Sequence, residues 1–329
     1  MTRVLVTGAN GFLGRYVVGT LATLPSNHVL ACSRERPDRL PASADFIRGP
    51  DLCGASDWSG IVTGVDCVIH TAGLAADSAA TEADNIANLR RVNVEGTLAL
   101  AEQAAAMGVS RFIFLSTAKV HGEVSKIGVP LLESDIFGPK GGYSSSKSEA
   151  EQGLLTLARV NGIEVVIVRP PLIYGPGVKG NFKRMAVAVA KGIPLPLASI
   201  DNLRSMAAVE NVVDFLITCI SHPSAANEIF FVSDGCDMST PFLLRHLGDA
   251  MDKPARLIHC PVGLLNNLAS ILGKRTLLDR LTGSFQLDIG KARRLLDWTP
   301  PVSAIDALKN TAISLNEHDR QSLCRSRLQ

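Results

Sequence analysis

Short apolar runs recur from Val4 to Val232, each bounded by glycine, proline or polar residues. Val4–Val6, Val29–Cys32, Phe46–Ile47, Cys67–Ile69, Phe112–Leu115, Val165–Val168 and Ile229–Val232 read as buried strands. They are apolar throughout rather than alternating, the pattern of strands covered on both faces. Longer stretches with helical spacing separate them, notably Tyr16–Leu21, Ala87–Met107 and Ser145–Val160. Strand and helix in alternation predict an α/β fold with a doubly wound parallel sheet. In such sheets ligands sit at the carboxyl ends of the strands.

The pattern changes after Tyr174-Gly175-Pro176-Gly177. A helical stretch, Phe182–Lys191, runs into the turn-rich Gly192-Ile193-Pro194-Leu195-Pro196, and helices and loops dominate from Ser239 onward. The expected division is a dinucleotide-binding domain at 1–175, with a return segment at about 205–233. A smaller interleaved lobe comprises 176–204 and 234–329. Pro261–Leu272 is apolar but interrupted by Asn266 and Asn267, and is expected as a buried helix. The polar tail from about Glu317 is expected to fray.

Composition narrows the function classes. The chain has 329 residues, enough for a large domain and a smaller partner. Its 33 basic and 31 acidic residues nearly cancel, and no basic stripe suggests nucleic acid. Seven cysteines without a CxxC pair argue against a disulfide framework or a zinc site. The first strand begins at the N-terminus, leaving no room for a signal peptide, and no apolar run is long enough to span a bilayer. A cytoplasmic location is expected.

Three features carry chemistry. The first is Val4-Leu5-Val6-Thr7-Gly8-Ala9-Asn10-Gly11-Phe12-Leu13-Gly14. Its glycines fall at three-residue spacing between a strand and a helix. There the backbone turns tightly and a pyrophosphate can approach the helix N-terminus. The second is Tyr143 and Lys147, four residues apart and therefore on one helix face. A nearby ammonium favours the phenolate and is expected to lower the tyrosine pKa, suiting Tyr143 to general acid and base work. The third is the pair Ser116 and Thr117 at the end of the fifth strand, where either hydroxyl could bond the substrate oxygen that Tyr143 protonates. After the second strand, Cys32-Ser33-Arg34-Glu35-Arg36 offers no acid for a free ribose 2′-hydroxyl. Ser33 and Arg34 suit a 2′-phosphate, so NADP(H) is expected as the preferred cofactor and NAD(H) as possible.

These motifs resemble the extended short-chain dehydrogenase/reductases, the NAD-dependent epimerase/dehydratase family, and the resemblance runs along nearly the whole chain. It implies a Rossmann-type sheet. Aligned on Val120 and Gly122, it places the catalytic hydroxyl on Thr117, beside Tyr143 and Lys147, with Ser116 near the substrate. His121 replaces the usual tyrosine there and reads best as a packing residue. The resemblance further implies cofactor contacts from Gly8, Asn10, Gly11, Phe12, Leu13, Gly14, Asp51, Leu52, Thr71, Ala72, Gly73, Asn93 and Pro170. Asn181 and Arg280 match positions that hold the diphosphate of a nucleotide sugar, and Arg204 one that contacts the nucleotide.

Dehydratases of the family resemble Thr-Asp-Glu where this chain has Thr117-Ala118-Lys119, which argues against water elimination. The second lobe resembles bacterial C4 reductases of UDP-4-keto-6-deoxy-N-acetylhexosamines, which serve surface polysaccharide synthesis. That activity is the first expectation. A UDP-glucose or UDP-N-acetylglucosamine 4-epimerase is the alternative, and a non-catalytic NADP-sensing protein is the alternative from another class. The family also implies a homodimer through the helices at Ala87–Met107 and Ser145–Val160. Leu98, Ala101, Ala105, Leu154, Leu155 and Ala158 are expected to supply its apolar surface.

Overall fold

The computed structural model describes residues 1–75, 82–136, 138–271 and 275–326. Seven parallel strands form the main sheet: β1 (Thr2–Thr7), β2 (Asn27–Ser33), β3 (Ala44–Arg48), β4 (Cys67–His70), β5 (Arg111–Leu115), β6 (Glu164–Arg169) and β9 (Ile229–Phe231). Their order is β3-β2-β1-β4-β5-β6-β9. Each expected strand is present, with ends shifted by at most two residues. This is the Rossmann-type doubly wound sheet. The order reverses between β1 and β4, and the chains leaving these two strands diverge into a crevice.

Alternate residues of each strand feed separate cores. Val4, Val6, Val29, Ala31, Ile69, Ile113 and Val166 pack against α1 (Phe12–Leu21) and α7 (Val209–Ser221). Leu5, Leu30, Val68, Phe112, Phe114, Val165 and Ile167 face the other way, onto α4 (Gly96–Ala106) and α5 (Gly142–Asn161). A third core joins Tyr174, Val178 and Phe182 with residues of α8 (Thr240–Ala250) and α12 (Ala304–Ser326). It therefore gathers chain from before and after the return of β9.

The structure departs from the sequence reading in several places. β7 (Leu172–Tyr174) and β8 (Met206–Ala208) form a separate parallel pair, too short to register as apolar runs. The helix expected over Ala87–Met107 is α3 (Glu82–Arg90), a π turn at Arg91–Glu95, and then α4. The π turn buries Asn93; such bulges recur at functional sites. The segment expected as a buried helix does form α9 (Val262–Ile271), but Leu264 is 60% and Ile271 81% exposed, while Leu265 points firmly inward. Leu272 lies outside the described residues. The backbone of α12 is helical through Ser326.

Of the apolar residues expected at a dimer surface, Ala101 and Leu154 are fully buried, whereas Leu98, Ala105, Leu155 and Ala158 are half-buried against the sheet core, and Leu98 also lines an open groove. That groove is also lined by Arg90 of α3, Glu95 of the π turn, Glu102 of α4, and Glu149, Gln152 and Val160 of α5.

Candidate active site

Gly8 and Gly14 make the first turn possible. Gly8 has φ +72°, and a side chain there would put its Cβ 2.7 Å from the Ala72 nitrogen. A Cβ on Gly14 would overlap the Gly8 carbonyl oxygen. The loop after β1 thus presses against the loop after β4 and against the start of α1. This close fit leaves a cleft of about 1000 Å³ above the crevice. Gly8, Asn10 and Gly11 line one wall, and Thr71, Ala72 and Gly73 line the other. Leu13 is buried in the core and Phe12 packs edge-on against Tyr16, so the expected contacts of these two would be through their backbone N–H groups.

His70 fastens the walls from beneath. Its Nδ1 lies 2.7 Å from Thr7 Oγ1 and its Nε2 3.0 Å from Thr97 Oγ1. Burial, reinforced by the Lys147 charge, holds its pKa down at about 3, so the ring is neutral. Thr71 Oγ1 donates to the Thr7 carbonyl at 2.7 Å, tying the same two loops.

The far end of the cleft contains Ser33, Arg34, Asp51 and Leu52, as expected, and also Arg48 and Arg91, which the sequence reading missed. Register could have revealed Arg48: it pairs with Ser33 where β2 and β3 end together. Arg34 is well exposed and lies 3.7 Å from an equally exposed Asp51. The Ser33 hydroxyl donates to the Glu35 carbonyl at 2.6 Å. Asn93 does not face the cleft. Its amide donates to the Leu74 carbonyl and Ser146 Oγ, both at 3.0 Å, and accepts from Leu74 N at 2.8 Å. It holds the loop after β4 against α5, so its expected direct cofactor contact is replaced by a positioning one. Pro170 is likewise buried, and its carbonyl accepts from Ala118 N at 2.9 Å, shaping the turn after β5.

Thr117 lies two residues past β5 and caps a 3-10 turn, Ala118–His121, accepting from Lys119 N at 3.3 Å. Lys147 reaches the same strand end from α5. Its Nζ donates to the Leu115 carbonyl at 2.9 Å, lies over the Phe114 ring, and closes the cleft behind Gly73. Burial lowers the Lys147 pKa to about 8, and Glu151 opposes that shift. Tyr143 stands one turn earlier on α5, half-buried. Its pKa is raised, not lowered as expected, because burial disfavours the phenolate. The ammonium that was expected to lower it is engaged with Leu115 and Phe114.

Ser116 is a further correction. Its hydroxyl donates to Glu151, so it points into the protein and not toward a substrate. Glu151 also holds Arg169, through Nε at 3.0 Å and Nη2 at 2.6 Å. Arg169 Nη1 lies 2.7 Å from His121 Nε2. His121 is buried against Phe231, and burial together with the Arg169 charge lowers its pKa to about 4. It is a packing residue that accepts from Arg169. Glu151 went unnoticed in the sequence, although it follows Lys147 by four residues on the same helix face.

In the second lobe, Arg204 sits where three segments meet, bridged to Met238 and Phe285. Its Nη1 donates to the Gly283 carbonyl at 2.7 Å. Arg280, on α10 (Arg275–Thr282), is turned toward Glu123 in the loop after β5. Asn181 is exposed on the first turn of α6 (Gly180–Ala190).

A phosphate-sized turn on β1, a long cleft at the sheet's reversal and a tyrosine–lysine face over β5 define a dinucleotide-dependent oxidoreductase scaffold. Residues 4–233 match the model of the NAD dependent epimerase/dehydratase family. The chain belongs to this family, and so to the enzymes that work through a nicotinamide dinucleotide. It is 40% identical over 310 residues to a UDP-glucose 4-epimerase of Vibrio cholerae, with 94% of each chain covered. It is 28% identical to a GDP-6-deoxy-D-mannose reductase of Pseudomonas aeruginosa, over 79% of this chain and 83% of the relative. The fold superposes on UDP-glucuronic acid 4-epimerase from Bacillus cereus in complex with NAD, with TM-score 0.78, 20% identity and coverage of 96% and 97%. Among the described residues no helix is long and apolar enough to cross a membrane.

Proposed function

We propose that the protein interconverts the C4 epimers of a UDP-hexose by oxidation and re-reduction at C4. The observation that carries this reading is Lys147, which reaches the Leu115 carbonyl near Thr117 and packs behind Gly73, with Tyr143 one turn earlier on the same helix. The 40% identity to a UDP-glucose 4-epimerase supports the epimerase over the reductase that the sequence had put first. The tight turn that Gly8 and Gly14 allow, where a Cβ would strike Ala72 and the Gly8 carbonyl, brings the start of α1 to the cleft, an arrangement that fits a bound pyrophosphate. A nicotinamide dinucleotide bound there supplies the hydride acceptor and donor. Tyr143 takes the proton from the C4 hydroxyl and returns it when the other face is reduced. Thr117 bonds the same oxygen and orients it. Lys147 holds the nicotinamide ribose from the Leu115 carbonyl, one turn past Tyr143 on the same helix. Ser33, Asp51, Leu52, Thr71 and Ala72 complete the cofactor wall. The lobe at 176–204 and 234–329 receives the nucleotide sugar, with Asn181, Arg204 and Arg280 toward its diphosphate.

The C4-ketoreductase reading is retained as the second, because Arg34 and Arg48 crowd the ribose end of the cleft and favour a 2′-phosphate. One experiment separates the two. Purified protein is incubated with UDP-galactose without added reductant, and separately with NADPH and a UDP-4-keto-6-deoxysugar. Formation of UDP-glucose at constant absorbance supports the epimerase. NADPH consumption without epimerisation moves the reductase to first place. Failure of both reactions overturns the nucleotide-sugar reading.

Arg34→Asp tests the cofactor end independently. Loss of a charge-assisted phosphate contact and gain of a repulsive charge should weaken NADP(H) binding by ~10-fold or more, with NAD(H) unchanged or tighter. Equal effects on the two cofactors would remove Arg34 from the discrimination.

A homodimer through the α4 and α5 faces is proposed as well. Leu98 and Gly153 line the floor of a groove there, with charged residues at its rim and Val160 at its end. Light scattering at micromolar concentration should give twice the chain mass; a monomer mass would sink the proposal.

A further inference from the structure

The loop after β5 carries a carboxylate between two cations that come from different parts of the chain. Lys119, two residues past Thr117, donates from Nζ to Glu123 Oε1 at 2.9 Å. Arg280, on α10, donates from Nε to Oε2 and from Nη2 to Oε1, both at 3.2 Å. Arg204 stands close enough for its charge to be felt by both Arg280 and Glu123, and burial lowers its own pKa. Three cations against one carboxylate leave this cluster positive. Burial alone would push the Glu123 carboxyl up, but its bonds to Lys119 and Arg280 bring it below the usual carboxylate range. It is therefore an anion at neutral pH.

Glu123 is not a loose surface acid. The chain that follows it is laced to the segment after α10: Ser125 N donates to the Ser284 carbonyl at 2.8 Å, Gln286 N to Ser125 Oγ at 2.9 Å, and Leu131 N to the Gln286 carbonyl at 2.8 Å. Val124 packs so near Gly283 that a Cβ there would lie 3.3 Å from it. The Glu123 side chain is 22% exposed, whereas those of Lys119 and Arg280 are each 43% exposed. The carboxylate is thus fixed by its surroundings, and the arginine is the freer partner.

We propose that Glu123 is a built-in competitor for the substrate's diphosphate: it occupies Arg280 when no nucleotide is bound and yields that arginine to the nucleotide while staying paired with Lys119. This deepens the nucleotide-sugar reading above and rests on it. The physical ground is that a guanidinium cannot bond a carboxylate and a diphosphate through the same N–H groups, and that a fixed negative charge beside the pocket repels the ligand. The competition sets nucleotide affinity low enough for release. It also joins the loop bearing Lys119, next to Thr117, to α10 before substrate arrives.

Calorimetric titration of UDP into wild type and Glu123→Gln tests this. The variant should bind UDP about three- to tenfold tighter, the size expected for removing one partly exposed ion pair and its repulsion. Arg280→Gln should weaken UDP binding, and by a larger factor when combined with Glu123→Gln, where Arg280 is no longer held. Glu123→Asp, too short to span both cations, should shift affinity in the same direction by less, and it stands in should Glu123→Gln fail to fold. Unchanged or weaker UDP binding by these Glu123 variants would overturn the inference while leaving the nucleotide-sugar reading intact. Absence of UDP binding by wild type would overturn that reading, and this inference with it.

Discussion

Tyr143→Phe is expected to lower turnover by about 10²–10⁴-fold, the usual contribution of a positioned general acid or base. Cofactor affinity should stay close to wild type, because the glycine turn and the loop after β4 form the cleft without the phenol. The fold should also be unaffected, since phenylalanine fills the same half-buried position on α5. Initial rates with saturating UDP-hexose, paired with a titration of the dinucleotide, decide the matter. Turnover near wild type would remove Tyr143 from the proton transfer. A fall in cofactor binding equal to the fall in turnover would reassign it to the cofactor wall. The same assay across pH checks its partner. Lys147 is charged below about 8 and loses its proton above that value, so kcat/KM of wild type should decline on the alkaline side from near pH 8.

The two parts of that prediction differ in how far the sequence anticipates them. Spacing places Tyr143 and Lys147 on one face of a helix, and the helix is where that spacing requires. Spacing says nothing of where the ammonium goes. Lys147 donates to a carbonyl of a strand 32 residues earlier, and this contact keeps its charge from being spent on the phenol alone. The strands were legible for a related reason: a strand covered on both faces must be apolar at every position, and such runs stand out. β7 and β8 are three residues each and carry no such signal. The glycine turn was legible because only glycine fits at Gly8 and Gly14. The role of Asn93 was not, since a π turn changes which face of the helix a residue occupies, and helical periodicity cannot show it. The exposure of α9 was misread because an apolar helix reads the same whether a neighbour covers it or not. Polar contacts between distant segments were least visible of all. Glu123 and Arg280 are 157 residues apart, and each alone reads as an ordinary surface charge.

The largest effect on stability is expected from Arg169→Leu, which attacks another such contact. The Arg169 and Glu151 side chains are only 10% and 4% exposed, and the guanidinium bonds the carboxylate through two nitrogens. Removing the cation leaves Glu151 buried, with Ser116 as its remaining hydrogen-bond donor among the side chains that now hold it. A buried pair broken on one side costs about 3–5 kcal/mol, because the surviving charge keeps its desolvation penalty without its partner. Urea unfolding at neutral pH should show an unfolding free energy lower by that amount, with an unchanged m value. His121 offers a local readout. Its pKa is held at about 4 by burial and by the Arg169 charge, so proton NMR of the variant should show it titrating at higher pH. Replacing both partners, Arg169→Leu with Glu151→Leu, should recover much of the lost stability, since apolar residues of similar volume carry no charge to desolvate. Turnover should not recover with it. Ser116 would lose its acceptor, and the segment at the end of β5 that carries Thr117 would lose one of its ties to α5, the Lys147 bond to the Leu115 carbonyl remaining. A double variant that regained both stability and activity would show that the pair serves packing alone. Recovery of stability without activity would show that Glu151 positions the strand end for catalysis.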